Sequence, residues 1–241
     1  MKYRALVSAY FRDNNAGRER MSYRNWYMGA LDGALGHYTR AIEATIAKDY
    51  RTLKTYYRGT EFNVETLDRL FRAIQDETDL IILDHLHYVD SDEPNENRAY
   101  KQIVKRIRDI SLTVGVPVLL IAHLRKKDRG VRTLVPDIDD FHGSSDITKI
   151  ATKVILLAPA TDQPAESPSH LWATYVHCPK DRMDGSTKNY VARVPFDVRL
   201  GTYLDAYELG RQSPGGDEFV TLHRGELPHW ARGAFCRDEE S

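Results

Sequence analysis

The chain has 241 residues, 41% of them hydrophobic and 29% charged, with a formal net charge of -1. That length suits one ordinary domain with a sizeable core, and the near-neutral balance excludes a global basic field, leaving only local patches for nucleic acid. Two cysteines, Cys178 and Cys236, exclude a disulfide framework and a cysteine zinc cluster and point to the cytoplasm, and no apolar run approaches the roughly 20 residues that span a bilayer.

In chain order, "YRALVSAY" (3–10) reads as a buried strand and "FRDNNAGRERMS" as a polar connection. Residues 22–50 carry Trp26, Tyr27, Ala30, Leu31, Ala34 and Leu35 at helical spacing, against Gly29, Gly33 and Gly36. "LKTYYRG" reads as a second strand. "FNVETLDRLFRAIQDE" begins on a good cap, Asn63, and sets Leu67, Leu70, Phe71 and Ile74 on one helical face. "LIILD" is a continuous apolar run of the kind buried on both faces in parallel sheets. Residues 95–114 form an amphipathic helix ended by Gly115, with Tyr100, Ile103, Val104, Ile107, Ile110 and Val114 on its apolar stripe, and "VPVLLIAHL" is the next strand. "DITKIATKVILLAP" reads as a short helix into a strand. "HLWATYVHC" and "NYVARVPF" alternate and are joined by the turn-rich tip "PKDRMDGSTK"; "TYLD" adds a short strand. From Gly210 the chain becomes Gly/Pro-rich and charged. The organisation expected is thus an α/β core over 1–209, with a largely parallel sheet and a C-terminal hairpin, and a mobile tail over 210–241.

Ligands of open α/β sheets sit beyond the carboxyl ends of the strands. Asp84 ends "LIIL", His123 ends "VLLIA", and Lys180 and Arg182 lie beyond "ATYVHC". Singly, each has an ordinary explanation. An aspartate after a strand caps a turn, a histidine there is usually a satisfied hydrogen-bonder, and charge at a hairpin tip is usually solvated. Their order and spacing carry more weight than any one of them.

"DLIILDHLHYVD", "AYKQIVKRIRDISLTVGVPVLLIAHLRKKDRG", "DIDDFHGSSDITKIATKVILLAP" and "HCPKDRMDGSTKNYVARVPFD" resemble, in that order, the ATPase core of DnaB- and RepA-type hexameric helicases, which has a RecA-like fold. The resemblance covers roughly residues 3–205. It implies that Asp84 organises the water shell of Mg²⁺ on ATP, and that His123 senses the γ-phosphate. It also implies that Lys180 and Arg182 reach the ATP of the neighbouring subunit as piston and arginine finger. These types suit the chemistry, because Mg²⁺ takes hard oxygen ligands and phosphoryl transfer needs positive charge on the transferred group. "HGSS" resembles the family's "RGSS" with His142 in place of arginine, so no role passes to His142.

One departure is large. A phosphate-cradling loop needs G-x-x-x-x-G-K-[ST], and none of the 15 glycines is followed by lysine. Where the family places a catalytic glutamate stand Tyr10 or Phe11, with Asp13 the nearest acid. The chain thus reads as a RecA-like core without its first strand and loop helix. "VPVLLIA" is then expected to keep an unpaired edge, each buried unpaired backbone group costing about 1–3 kcal/mol. ATP and Mg²⁺ are expected as cofactors only if the loop comes from another segment or a loop-bearing partner chain, and the chain alone is expected not to hydrolyse ATP.

Arg125, Lys126, Lys127, Arg129 and Arg132 follow the sensor strand within eight residues. In the helicases this is where loops reach single-stranded DNA, and basic charge there gives salt-dependent, sequence-neutral affinity. Lys149 and Lys153 are weaker candidates, and a solvated loop is the plain alternative. The partners expected are single-stranded DNA and a homo-oligomeric ring, with no membrane. Two other readings compete. One is a non-catalytic pseudo-ATPase or loader subunit. The other is a metal-dependent hydrolase built from Asp84, His85, His87 and His123, with His142 and His177 as further candidates. If 83–87 stay extended, His85 and His87 share one face while Asp84 points away, which weakens that site.

Overall fold

The computed structural model describes residues 44, 47–48, 51–56, 61–124, 135, 137–140, 145–160, 168–198 and 202–232. The strand expected at 3–10, nearly all of the helix at 22–50, the basic cluster at 125–132 and His142 lie outside them; Ala44, Ala47 and Lys48 are helical, and 53–56 form no strand. The chain divides into two units, residues 57–157 with 177–190, and residues 1–56, 158–176 and 191–241.

In the first of these, helix α1 (Val64–Ile74) starts where Asn63 Oδ1 accepts from the Thr66 N–H at 3.0 Å, and it buries Leu67 and Phe71. Helix α2 (Glu96–Val114) starts the same way on Asn95, whose Oδ1 accepts from the Arg98 N–H at 3.0 Å. It stops at Gly115, whose φ of 74° closes the last turn with an N–H to the Ser111 carbonyl. The stripe read from the sequence is the buried face: Tyr100, Ile103, Val104, Ile107 and Ile110 pack with Leu67, Phe71, Leu83 and Leu86 in one cluster. Between the helices run β1 (Ile81–Leu83) and, after α2, β2 (Val118–Leu120), paired parallel with Ile81 opposite Val118 and Leu83 opposite Leu120. A long helical crossover between neighbouring strands is what parallel pairing requires. The two-sided burial expected of "LIILD" does not hold. Burial alternates, with Ile82 54% and Leu119 47% exposed, so these strands cover one face only. Among the described residues β2 pairs with β1 alone.

Helix α3 (Ser145–Ile150) leads into β3 (Lys153–Pro159), followed by β4 (Leu171–Asp181), β5 (Val191–Asp197), β6 (Thr202–Tyr203), β7 (Glu208–Gln212) and β8 (Phe219–Thr221). Hydrogen-bonded neighbours follow the order β3-β4-β5-β7-β8, with β6 beside β5. The pairings β5–β6, β5–β7 and β7–β8 are antiparallel, so the parallel character expected of the whole sheet is confined among the described pairs to β1–β2. The reason is connection length, since a handful of residues between strands allows only a hairpin.

The tail expected from Gly210 is corrected by β7 and β8. Gly210 is itself a ladder residue, opposite Val191 on one side and Thr221 on the other. A Cβ there would meet the Phe219 ring and come within 2.6 Å of the Val220 carbonyl, while Phe219 stacks near the fully buried Tyr175. A backbone oxygen cannot swing aside. Gly210→Ala is therefore expected to destabilise the chain by about 1–3 kcal/mol, read as a lower urea midpoint; an unchanged midpoint would mean the hairpin is not part of the folded core.

Candidate functional site

The β1–β2 ladder continues past the strands. The Ile121 N–H donates to the Leu83 carbonyl at 3.0 Å, and the Leu86 N–H donates to the Ile121 carbonyl at 2.9 Å. Leu86, fully buried, then anchors a single 3₁₀ turn (Leu86–Tyr88), with the Tyr88 N–H on the His85 carbonyl. The segment is closed at Asp90, whose N–H donates to the Phe62 carbonyl at 2.8 Å and whose Oδ2 accepts the Phe62 N–H at 2.9 Å. This anchoring sets the residues after β1 beside those after β2. Asp84 and His123 both stand beyond the carboxyl ends of adjacent parallel strands, and both are exposed.

The turn keeps His85 and His87 on one side and Asp84 off it, as the extended reading has it, and adds His123 from the end of β2. His85, His87 and His123 each present a ring nitrogen, and these nitrogens all lie within 4.8 Å of one another. The His85 and His123 ring centroids are 4.4 Å apart and those of His87 and His123 5.3 Å. Tyr88 stacks on His85 at 4.2 Å, and Tyr100 meets His87 edge-on at 5.0 Å. The Tyr100 hydroxyl donates to Glu96 Oε1 at 2.6 Å; burial, then that carboxylate, pushes its pKa up to about 12, so it stays protonated. His85 Nδ1 is buried with no hydrogen-bond partner, which ordinarily costs about 1–3 kcal/mol. The signal available in the sequence was the alternation of "HLH" itself, with Leu86 turned inward and both histidines on the other side.

Asp84 does not belong to the histidine group. His177 is engaged apart from it, with Nε2 3.0 Å from the Lys188 carbonyl oxygen. Of the residues named for the hydrolase reading, His85, His87 and His123 come together, Asp84 and His177 do not join them, and His142 lies outside the described residues. An exposed carboxylate at a strand end fits the water shell of Mg²⁺, whereas imidazoles do not, since Mg²⁺ prefers oxygen. For the phosphates of ATP the sequence given holds no glycine followed by lysine, the pair that a phosphate-cradling loop requires.

Lys180 and Arg182 gather at a different feature, the C-terminal end of α3. In an extended chain alternate residues share a face. Lys180 Nζ accordingly donates to the Thr148 carbonyl and, at 3.1 Å, to that of Lys149, and the Arg182 guanidinium donates to the Lys149 carbonyl. Asp181 lies between them in sequence and instead pairs with Lys153 at 2.8 Å. The Lys153 hydrogen bond, then the Met183 N–H, holds the Asp181 carboxyl below its usual range, and Lys153 is pushed up by the same contact. Arg108 adds a third cation, donating to the Ile150 carbonyl at 2.8 Å. Burial, then the charges of Arg182 and Arg108, lower the Lys180 pKa. Among the described residues these three cations are met by the partial negative charge of helix-end carbonyls, an arrangement that can accept an anion. Lys149 contributes its carbonyl here, and Lys153 its ion pair.

A cleft of about 870 Å³ beside α1 and α2 is lined by Glu61, Glu65, Asp90, Asp92 and Glu93 and holds none of the candidate residues. Its acidic walls would repel a polyphosphate. No described helix is long and apolar enough to cross a membrane.

Residues 23–129 match a protein family described as an AAA domain. No curated protein matches the sequence. Among solved structures, one titled "The Structure Of A DnaB-Like Replicative Helicase And Its Interactions With Primase" superposes with a TM-score of 0.66 at 15% identity, over 84% of this chain and 47% of that one. A second, described as an ATPase domain, gives 0.65 at 14% identity, over 83% and 68%. The chain spans about half the length of the first. At such identity the likeness is one of fold: this chain has the α/β, RecA-like fold of a DnaB-type helicase ATPase core, as the sequence resemblance implied.

Proposed function

We propose that the chain is the ATPase-domain portion of a DnaB/RepA-type replicative DNA helicase. It works as a subunit of a ring that moves along single-stranded DNA at the expense of ATP. The observation that carries this reading is the placement of Asp84 and His123 side by side beyond paired parallel strands of a RecA-like fold. Asp84 holds the water shell of Mg²⁺, and His123 senses the γ-phosphate. Lys180 and Arg182 leave their carbonyl contacts for the phosphates of the neighbouring subunit, and another segment or partner chain supplies the phosphate-gripping loop. A second reading, a non-catalytic pseudo-ATPase or loader subunit, is favoured by the missing glycine–lysine pair and keeps the same ring and DNA contacts.

The DNA-facing half is tested by titration. Replacing Arg125, Lys126, Lys127, Arg129 and Arg132 by glutamine should weaken single-stranded DNA binding uniformly across sequences. It should also flatten the log–log salt dependence by about 0.7 for each phosphate no longer neutralised. An unchanged slope would make the cluster a solvated loop. Binding that tightens with Mg-nucleotide in a loop-completed chain supports the helicase reading, and binding indifferent to nucleotide supports the non-catalytic one.

A further inference from the structure

We infer that His85, His87 and His123 form a binding site for one divalent transition metal of the zinc class, a site that goes beyond the nucleotide reading and shares His123 with it, so that metal and γ-phosphate compete for that ring. The three ring nitrogens already lie within 4.8 Å of one another. A tetrahedral ion with bonds of about 2.0–2.1 Å sets its nitrogens roughly 3.3 Å apart. Modest side-chain rotations close that difference, and the exposed His123 has room to make them.

The other two ligands are held in place. His85 and His87 flank the buried Leu86 on a turn whose Leu86 N–H donates to the Ile121 carbonyl just past β2, and Tyr88 and Tyr100 pack against the rings of His85 and His87. His85 Nδ1, buried without a hydrogen-bond partner, shows that one ring of the group is not satisfied by protein alone. The donor set decides the ion. Three neutral imidazoles suit Zn²⁺, Co²⁺, Ni²⁺ or Cu²⁺, whereas Mg²⁺ selects oxygen. Asp84, outside the group, keeps its carboxylate for a hard cation. Three protein ligands leave a fourth position, filled by water and reachable from the His123 side.

Metal-stripped full-length chain titrated with Co²⁺ tests the site. The expected result is one tightly bound Co²⁺ per chain with the strong visible absorption of a four- or five-coordinate ion, displaced by Zn²⁺ and not by Mg²⁺. His87→Gln should weaken binding by about 100-fold or more. His87→Cys should restore it, because a thiolate also ligates this class of ion, and His223→Gln should leave it unchanged. Weak six-coordinate cobalt in the unaltered chain, or His87→Gln binding as tightly as the parent, would overturn the inference. Imidazole NMR of the unaltered chain gives a readout independent of variant folding. Zn²⁺ should shift three of the nine histidines, namely His85, His87 and His123, and shifts confined to the others would overturn it equally.

Discussion

On the proposed function, replacing Arg182 by alanine is expected to lower ATP hydrolysis by a loop-completed ring about 10³-fold or more while leaving ring assembly in place. In the isolated chain Arg182 donates to the Lys149 carbonyl at the end of α3. A cation at a helix C-terminus contributes about 0.3–1 kcal/mol, so its loss from the fold is small. A guanidinium on a transferring phosphoryl group is worth about 10³–10⁵ in rate, or roughly 4–7 kcal/mol at 1.36 kcal/mol per tenfold. The two roles therefore separate by magnitude. A drop in urea midpoint equivalent to about 1 kcal/mol with unchanged kcat would make Arg182 a helix cap. Arg182→Lys discriminates further, since it keeps the charge and loses the planar fork.

Leu86→Ala is expected to cost about 2–5 kcal/mol of stability, measured by urea unfolding, the range for deleting a fully buried leucine. Leu86 also fixes the turn that carries His85 and His87, so the same variant should loosen the histidine group. A cost below about 1 kcal/mol would mean that the turn is held by the Leu86 N–H bond to Ile121 and by the Asp90–Phe62 bonds that close the segment, rather than by packing.

Helix α2 was legible in the sequence because its stripe, its Asn95 cap and its Gly115 stop are all local signals, and each survives intact. Asp84 and His123 were legible for the same reason, as the first polar residues after apolar runs. The sheet was harder. Neither the one-sided burial of Ile82 nor the antiparallel pairing of Arg193 with Glu208 is a local property; both depend on which strand lies alongside. Glycine, proline and charge after Gly210 read as a tail because hairpin turns and loose chain share that composition. Ser213–Glu218 closes such a turn, with the Ser213 N–H on the Glu218 carbonyl and Gly216 at a φ of 78°. The strand period of 83–87 already sets His85 and His87 on one face away from Asp84; the approach of His123 is not local, because it depends on which strand lies beside β1. The Lys180 and Arg182 contacts with α3 bridge more than 30 residues of sequence and leave no trace in either segment alone.

The proposed function needs Asp84 as a magnesium carboxylate, His123 as a sensor and Lys180 and Arg182 as trans-acting cations, with the phosphate-gripping loop supplied by another segment. Steady-state Mg-ATP turnover, measured on the 241-residue chain and on the same chain joined to a strand–loop–helix bearing G-x-x-x-x-G-K-[ST], tests it most directly. The predicted result is no turnover by the chain alone, and turnover by the joined chain that Asp84→Ala abolishes. Hydrolysis by the unjoined chain, or hydrolysis by the joined chain that survives Asp84→Ala, would contradict it.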